Sequence, residues 1–296
     1  MKLTFIGTAP FAVPSLRALH GAGHDVALVV TQPDRPGHRL RLTPPAVKVA
    51  AADLGLEVFQ PDRIRAPEAV ARVAASGPEL IVVVAYGQII PRSVLEIPPL
   101  GVLNVHASLL PRHRGAAPIA HAILGGDEVT GVTIMRMDEQ LDHGPVLTTR
   151  ETGIEPHESA AELAERLAAM GAELLVETVA RLDEVVPVEQ DHAAATLAPK
   201  LSREDGELDW SLDAREIDRR VRGLQPWPGV TLPLGGARVK VLRGRPSAGS
   251  GAPGEVLHVG REGVEVAAGR GSYVLEEVQP PGRRPTPPQA LVAQRA

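Results

Sequence analysis

Short apolar runs alternate with segments of helical periodicity through the first 150 residues. Runs rich in Val, Ile and Leu at 3–6, 26–31, 57–59, 80–86, 102–106, 132–137 and 146–149 predict strands. Several are continuously apolar, as strands covered on both faces must be. Helical patterns fall between them at 12–20, 46–54, 67–75 and 117–124. Strands separated by helices predict a parallel α/β sheet. The Ala/Leu/Glu/Arg-rich stretch 159–185 predicts the longest helix, and the polar, aperiodic stretch after it reads as a linker at 188–204. Ser211 is then the candidate N-cap of a helix reaching about residue 222. Short runs follow at 230–234, 237–242, 254–259, 263–267 and 272–278, punctuated by Gly or Pro. One helix followed by several short strands predicts a small β-barrel. The tail Pro280-Pro281-Gly282-Arg283-Arg284-Pro285 reads as a rigid basic turn before a final short helix.

Length and composition narrow the function. The chain has 296 residues, 44% of them apolar, enough for two domains with a sizeable core. No apolar run approaches the roughly 20 residues that span a bilayer, and the N-terminus reads as a first buried strand rather than a signal peptide. The expected setting is the cytoplasm, with no membrane partner. The absence of cysteine excludes disulfides, thiolate metal sites and a cysteine nucleophile. Net charge is −5, yet residues 205–296 carry 13 Lys+Arg against 11 Asp+Glu while 1–204 carry 18 against 25. A basic C-terminal part fits local contact with a polyanion.

The densest chemistry is the stretch Asn104-Val105-His106-Ala107-Ser108-Leu109-Leu110-Pro111. On a strand, residues two apart share a face, so Asn104, His106 and Ser108 are expected to converge where Pro111 ends the segment. A lone histidine is more often a satisfied core residue. A carboxamide two residues away, at the carboxyl end of a strand in an open α/β sheet, shifts the reading toward a ligand site. A carboxylate partner would orient the ring and favour its charged form. Asp138 and Asp142, together with His143, lie in one turn, and the sequence does not choose among them. Such a set suits direct acyl transfer to an amine, with an amide N–H for the oxyanion and an imidazole for the protons. Ser108 lacks the Gly-x-Ser-x-Gly surroundings of a nucleophile elbow. Gly7-Thr8-Ala9-Pro10 lacks the dinucleotide fingerprint. His106, His113, His121 and His143, spaced by 7, 8 and 22 residues, match no helix-face metal motif, so no metal is expected.

These residues carry a family resemblance that covers nearly the whole chain. Val83-Val84-Ala85-Tyr86-Gly87-Gln88-Ile89-Ile90-Pro91, Gly101-Val102-Leu103-Asn104-Val105-His106-Ala107-Ser108-Leu109-Leu110-Pro111 and Leu141-Asp142-His143-Gly144-Pro145 are similar to enzymes that use 10-formyltetrahydrofolate. Thr31-Gln32-Pro33-Asp34-Arg35-Pro36, Arg114-Gly115-Ala116-Ala117-Pro118-Ile119, Lys200-Leu201-Ser202-Arg203-Glu204 and Arg222-Gly223-Leu224-Gln225-Pro226-Trp227-Pro228-Gly229 add features specific to one family. The chain resembles the methionyl-tRNA formyltransferases. That resemblance implies an α/β, Rossmann-like formyltransferase domain over 1–187, which binds 10-formyltetrahydrofolate. It also implies a small OB-like β-barrel over 205–296 for tRNA. It gives Asn104 to the formyl oxygen, His106 to proton management, and Asp142, over its neighbours, to the control of His106. It places the folate beside Tyr86, Gly87, Ser108, Leu109, Leu110 and Pro111. His113 stands where relatives often carry Trp.

On the RNA side, the resemblance implies that the loop bearing Arg35, Arg39 and Arg41 meets the acceptor end of initiator methionyl-tRNA, with Lys200 also in contact. Arg215, Arg219 and Arg222, spaced by four and three, share a helix face that reads either as an RNA contact or as a surface paired with Glu216 and Asp218. Arg238, Lys240, Arg243 and Arg245 cluster on or beside one strand. With seven aromatic residues in the chain, stacking on bases would be sparse and backbone contact should dominate. The expected protein is a monomeric formyltransferase acting on initiator methionyl-tRNA. The alternatives are a folate-dependent formyltransferase for a small-molecule amine and a catalytically silent RNA-binding module.

Overall fold

The computed structural model describes residues 1–36 and 42–292. The chain divides into two units: Met1–Pro118, Val129–Gly153 and Ala164–Pro199 form the first, and Ile119–Glu128, Ile154–Leu163 and the chain from Lys200 onward form the second. In chain order the elements up to residue 198 are β1 (Lys2–Gly7), α1 (Val13–Gly21), β2 (Asp25–Val30), β3 (Arg35–Pro36), β4 (Leu42–Thr43), α2 (Ala46–Asp53), β5 (Val58–Phe59), α3 (Pro67–Ala75), β6 (Leu80–Val84), α4 (Arg92–Leu95), β7 (Val102–His106), β8 (Arg114–Gly115), α5 (Pro118–Gly125), β9 (Val129–Arg136), β10 (Val146–Gly153), α6 (Ala160–Ala180) and β11 (Leu197–Ala198).

A seven-stranded sheet in the order β10-β9-β7-β6-β1-β2-β5 organises the first unit. Every residue of β6 and β7 is buried, which is why both read as continuous apolar runs. Each large aliphatic side chain buried there contributes about 1.5–3 kcal/mol. From β5 to β7 the strands run parallel, as expected, but β9 is antiparallel to both β7 and β10. The fully parallel sheet is therefore corrected to a mixed, Rossmann-like one. Residues 137–145 are too few for a crossover and can join only antiparallel neighbours. Between β7 and β9 a helix intervenes, and a helix alone does not fix strand direction. β10 also runs to Gly153, past the expected end at 149; its second half alternates half-buried and exposed positions, the pattern of a strand covered on one face. α6 ends at Ala180 rather than 185. The acidic Asp183 and Glu184 oppose the helix dipole there, and Pro187 disfavours helix just before it.

The strand order puts the site. The chain moves outward from β1 through β2 to β5, then returns to β6 on the other side of β1. The carboxyl ends of β1 and β6 flank this reversal, where open α/β sheets bind ligands. Three strand ends are tied there: the Tyr86 carbonyl accepts from Thr8 Oγ1 at 2.9 Å and from Gln32 Nε2 at 2.7 Å.

The second unit adds α7 (Ala214–Gly223), β12 (Val230–Leu234), β13 (Ala237–Ser247), β14 (Val256–Gly260), β15 (Gly263–Ala267), β16 (Ser272–Gln279) and α8 (Gln289–Val292). Its five strands form an antiparallel sheet ordered β12-β13-β16-β15-β14. Ile217 and Val221 of α7 join Val230, Leu232, Val239, Val241, Val264 and Leu275 in its core. The cap of α7 is Asp213, not Ser211: its carboxylate accepts from Arg215 N at 2.7 Å. Ser211 instead closes an Asx turn, its N–H donating to Asp209 Oδ1 at 2.8 Å. Among the described residues no helix is long and apolar enough to cross a membrane.

Candidate active site

β7 delivers Asn104 and His106 to one face at its carboxyl end, both nearly buried at 9% and 5% exposure. The carboxylate that meets them is Asp142. Its Oδ1 lies 3.4 Å from Asn104 Nδ2, which donates to it, and 3.6 Å from His106 Nδ1. Its Oδ2 accepts from Gly115 N at 2.8 Å. The neighbouring candidates are occupied elsewhere. Asp138 accepts from Gln140 N at 2.8 Å and faces His143 Nδ1 at 2.6 Å, so it shapes the turn and pairs with His143.

The histidine's tautomer follows from its second nitrogen. His106 Nε2 lies 3.0 Å from the His113 carbonyl, which can only accept, so Nε2 carries a hydrogen. Nδ1 is then the exchangeable position, and it is the one beside Asp142. Protonation at Nδ1 creates a cation directly against the carboxylate. Asn104 keeps one amide N–H beyond the bond to Asp142 and can give it to a developing oxyanion.

Backbone strain gathers here. Ala85, His113 and Asp142 have φ of +45°, +57° and +46°, the left-handed region that side chains other than Asn, Asp and Gly rarely adopt. Ala85 follows β6, His113 supplies the carbonyl to His106, and Asp142 supplies the carboxylate. Such outliers persist only where their surroundings hold them, and they concentrate at functional sites. Gly115 is fixed in kind: with φ of +128°, a Cβ there would stand 2.5 Å from the Ala198 carbonyl.

Ser108 does not join the convergence. β7 ends at His106, alternation ends with it, and Ser108 Oγ donates to the Arg112 carbonyl at 2.6 Å. The Ser108 carbonyl and the Leu110 N–H are both held by Thr133 Oγ1, at 2.7 and 3.1 Å, which fixes the turn carrying Leu109 and Pro111. Tyr86 buries its ring among Ile6, Leu28, Val83, Ile90 and Val94, and burial pushes its phenol up to about 12, so it stays neutral. The Tyr86 hydroxyl is buried without a partner among the described residues, and its carbonyl is already taken by Thr8 and Gln32. Ala85 and Gly87 beside it are exposed. Polar backbone at two strand ends and a fixed apolar turn suit a flat heterocycle with hydrogen-bonding edges. Among the described residues no group of three metal-ligating side chains occurs.

The residues that sequence reasoning missed lie behind Asp142. Gln190, 7% exposed, donates from Nε2 to the carbonyls of Asp142 at 3.0 Å and Gly144 at 2.7 Å. Its Oε1 accepts from Arg114 Nε and Nη2 at 3.1 and 2.6 Å. Arg114 Nη2 also meets His192 Nδ1 at 2.9 Å, and the His192 ring stacks on His143 with centroids 3.9 Å apart. The only trace of this in the sequence is a glutamine in a stretch that reads as linker.

The basic residues occupy varied surroundings. Arg35 is exposed and donates to Gln32 Oε1. Arg39 and Arg41 lie outside the described residues. Lys200 and Arg215 are exposed. Arg219 is half-buried, its Nε without a partner among the described residues. Arg222 is tied to Asp218 at 2.8 Å and to the Glu158 carbonyl at 3.1 Å, so it is less available than its helix position implied. Arg220 takes Glu216 instead, at 3.0 Å. Arg243 and Arg245 pair with Glu276.

Comparisons with known proteins agree with this architecture. A family model described as formyl transferase matches residues 1–179, and one described as formyl transferase, C-terminal domain, matches 200–296. The methionyl-tRNA formyltransferase of Citrifermentans bemidjiense is 49% identical, covering 97% of this chain and 91% of the relative. That of Solibacter usitatus is 49% identical, covering 97% and 93%. Among solved structures, an N-formyltransferase from Helicobacter canadensis in complex with folinic acid and dTDP-3-aminofucose aligns with a TM-score of 0.67 at 14% identity, covering 93% of this chain and 99% of that one. HypX from Aquifex aeolicus in complex with tetrahydrofolic acid aligns at 0.65 and 20% identity over 98% of this chain, which spans 46% of HypX. At those identities the likeness is one of fold.

Proposed function

Because the chain belongs to the methionyl-tRNA formyltransferase family, we propose that it transfers the formyl group of 10-formyltetrahydrofolate to the α-amino nitrogen of methionine on initiator tRNA. The observation that carries the reading is the meeting of Asn104, His106 and Asp142 at one strand end. The donor supplies a formyl carbon on a nitrogen leaving group. Tyr86, Gly87, Ser108, Leu109, Leu110 and Pro111 would hold it through backbone groups and the fixed turn. As the amine bonds to the formyl carbon, negative charge grows on the formyl oxygen, and the free N–H of Asn104 stabilises it. His106 Nδ1 takes the proton that the attacking amine loses and returns it to the departing nitrogen. Asp142 stabilises the imidazolium in between and keeps Nδ1 directed at the site. No covalent enzyme intermediate is required, which agrees with the lack of cysteine and with Ser108 being bonded elsewhere.

Arg35, Arg39, Arg41, Lys200, Arg215, Arg219 and Arg222 are our candidates for phosphate contact with the tRNA. We assign residues 1–187 to catalysis, 188–204 to a connection and 205–296 to tRNA binding, in a monomeric enzyme of the cytoplasm. The test is to incubate the full chain with 10-formyltetrahydrofolate and methionyl-tRNA of initiator or elongator type, then hydrolyse the ester. N-Formylmethionine from the initiator species is the expected product. Its absence, with formyl transfer to an amino sugar instead, would move the protein to the small-amine class.

A further inference from the structure

We propose that Gln190, itself held by Arg114, is a positioning residue that sets the carboxylate of Asp142. The inference rests on the role given to Asp142 above. Asp142 sits in a left-handed conformation, φ +46°, so the backbone of this turn decides where its carboxylate points. Two carbonyls of this turn, those of Asp142 and Gly144, end on the same Gln190 amide nitrogen, at 3.0 and 2.7 Å. Both hydrogens of that nitrogen are thus used on the turn. The carboxamide cannot be turned over, because its oxygen would then face two carbonyls and its nitrogen a guanidinium that only donates. Arg114 fixes the orientation with two bonds to Oε1, at 3.1 and 2.6 Å.

Arg114 itself is 8% exposed and forms no ion pair with a carboxylate among the described residues. Its partners are Gln190 and His192 Nδ1. A buried guanidinium polarises the Gln190 amide and strengthens its two donor bonds. The same segment carries the far side of the clamp, since Gly115, next to Arg114, gives its N–H to Asp142 Oδ2 at 2.8 Å. The turn is therefore gripped through its backbone by Gln190 and through its side chain by Gly115, and the two grips leave Oδ1 facing Asn104 and His106.

Gln190→Glu isolates the donor function. It retains an oxygen for Arg114 and removes both N–H groups from the two carbonyls. We expect kcat for formyl transfer to fall about 10- to 100-fold, as for other residues that orient a catalytic group. KM for the formyl donor and for tRNA should stay within about twofold, because Gln190 is buried and acts through the turn of Asp142. A second reading comes from the Gly115 amide proton in an NMR spectrum. It should lie downfield in the wild type, because it donates to a carboxylate, and move upfield in the variant. If the glutamate variant does not fold, Gln190→Met, apolar and of similar length, is read in the same two ways. Wild-type kcat, an unmoved Gly115 resonance, or a loss confined to KM for tRNA would each overturn the proposal. The NMR reading does not depend on formyl transfer. A wild type that fails to formylate methionyl-tRNA would therefore sink the functional reading alone.

Discussion

At the scale of single residues, the side chains proposed to carry the chemistry should fail in different ways when replaced. His106→Ala removes the imidazole that faces Asp142 Oδ1, and turnover should drop about 10²–10⁴-fold, the range of general acid–base catalysis. Circular dichroism should show the fold unchanged, and near-wild-type turnover would end the assignment. Asp142→Asn keeps an acceptor for Gly115 N but removes the charge opposite His106 Nδ1. It should lower kcat while sparing KM for both substrates, measured by steady-state formylation. Asn104 and His106 were legible in the sequence because a strand's period of two guarantees that they share a face. Asp142 was legible only as one of three candidates. Its selection depends on a backbone turn at φ +46°, which no local pattern encodes. Gln190 was not legible at all. Its partners are 46, 48 and 76 residues away, and its neighbours, mostly exposed, give no periodic signal of burial.

At the scale of elements, burial on both faces made β6 and β7 readable, and one-sided cover hid the second half of β10. Caps were harder, because Ser, Asp and Asn are interchangeable candidates until the turn before the helix is known. Asp209, Ser211 and Asp213 all precede α7, and the Asx turn claims the first two. Asp213→Ala should therefore destabilise the second unit by about 1 kcal/mol, whereas Ser211→Ala should cost less, as read by urea denaturation. The capping bond also sets a pH dependence. Donation from Arg215 N, then the contact with Arg270, holds the Asp213 carboxyl below its ordinary value. A carboxyl with a lowered folded-state pKa contributes stability that is complete above its unfolded value, about 4, and fades as pH falls through the folded one. The difference between wild type and Asp213→Ala should accordingly hold constant from pH 7 to about 5 and shrink below about 4. A difference that persisted undiminished at pH 2 would mean the carboxylate is not the cap.

At the scale of the whole molecule, the question is how a protein of net charge −5 holds a polyanion. Global attraction cannot serve, so positive charge must be presented locally. The structure narrows where. Arg222, Arg220, Arg243 and Arg245 are already paired with acids, so each would have to give up a partner to meet a phosphate. Arg35, Lys200 and Arg215 are exposed and have no acidic partner in ion-pair range among the described residues. The sequence places Arg39 and Arg41 within six residues of Arg35, which makes that segment the densest positive run in the first unit. Replacing Arg39 and Arg41 together with Gln should raise KM for methionyl-tRNA and leave KM for the formyl donor unchanged. Salt supplies the independent check. Each lost phosphate contact releases fewer counterions, so the log–log slope of tRNA affinity against salt should become shallower by about 0.7–0.9 per contact. If instead the slope stayed fixed while affinity fell, the two arginines would act otherwise than by touching phosphate. The electrostatic hold would then rest on Arg35, Lys200 and Arg215, whose replacement would have to flatten the slope in their place.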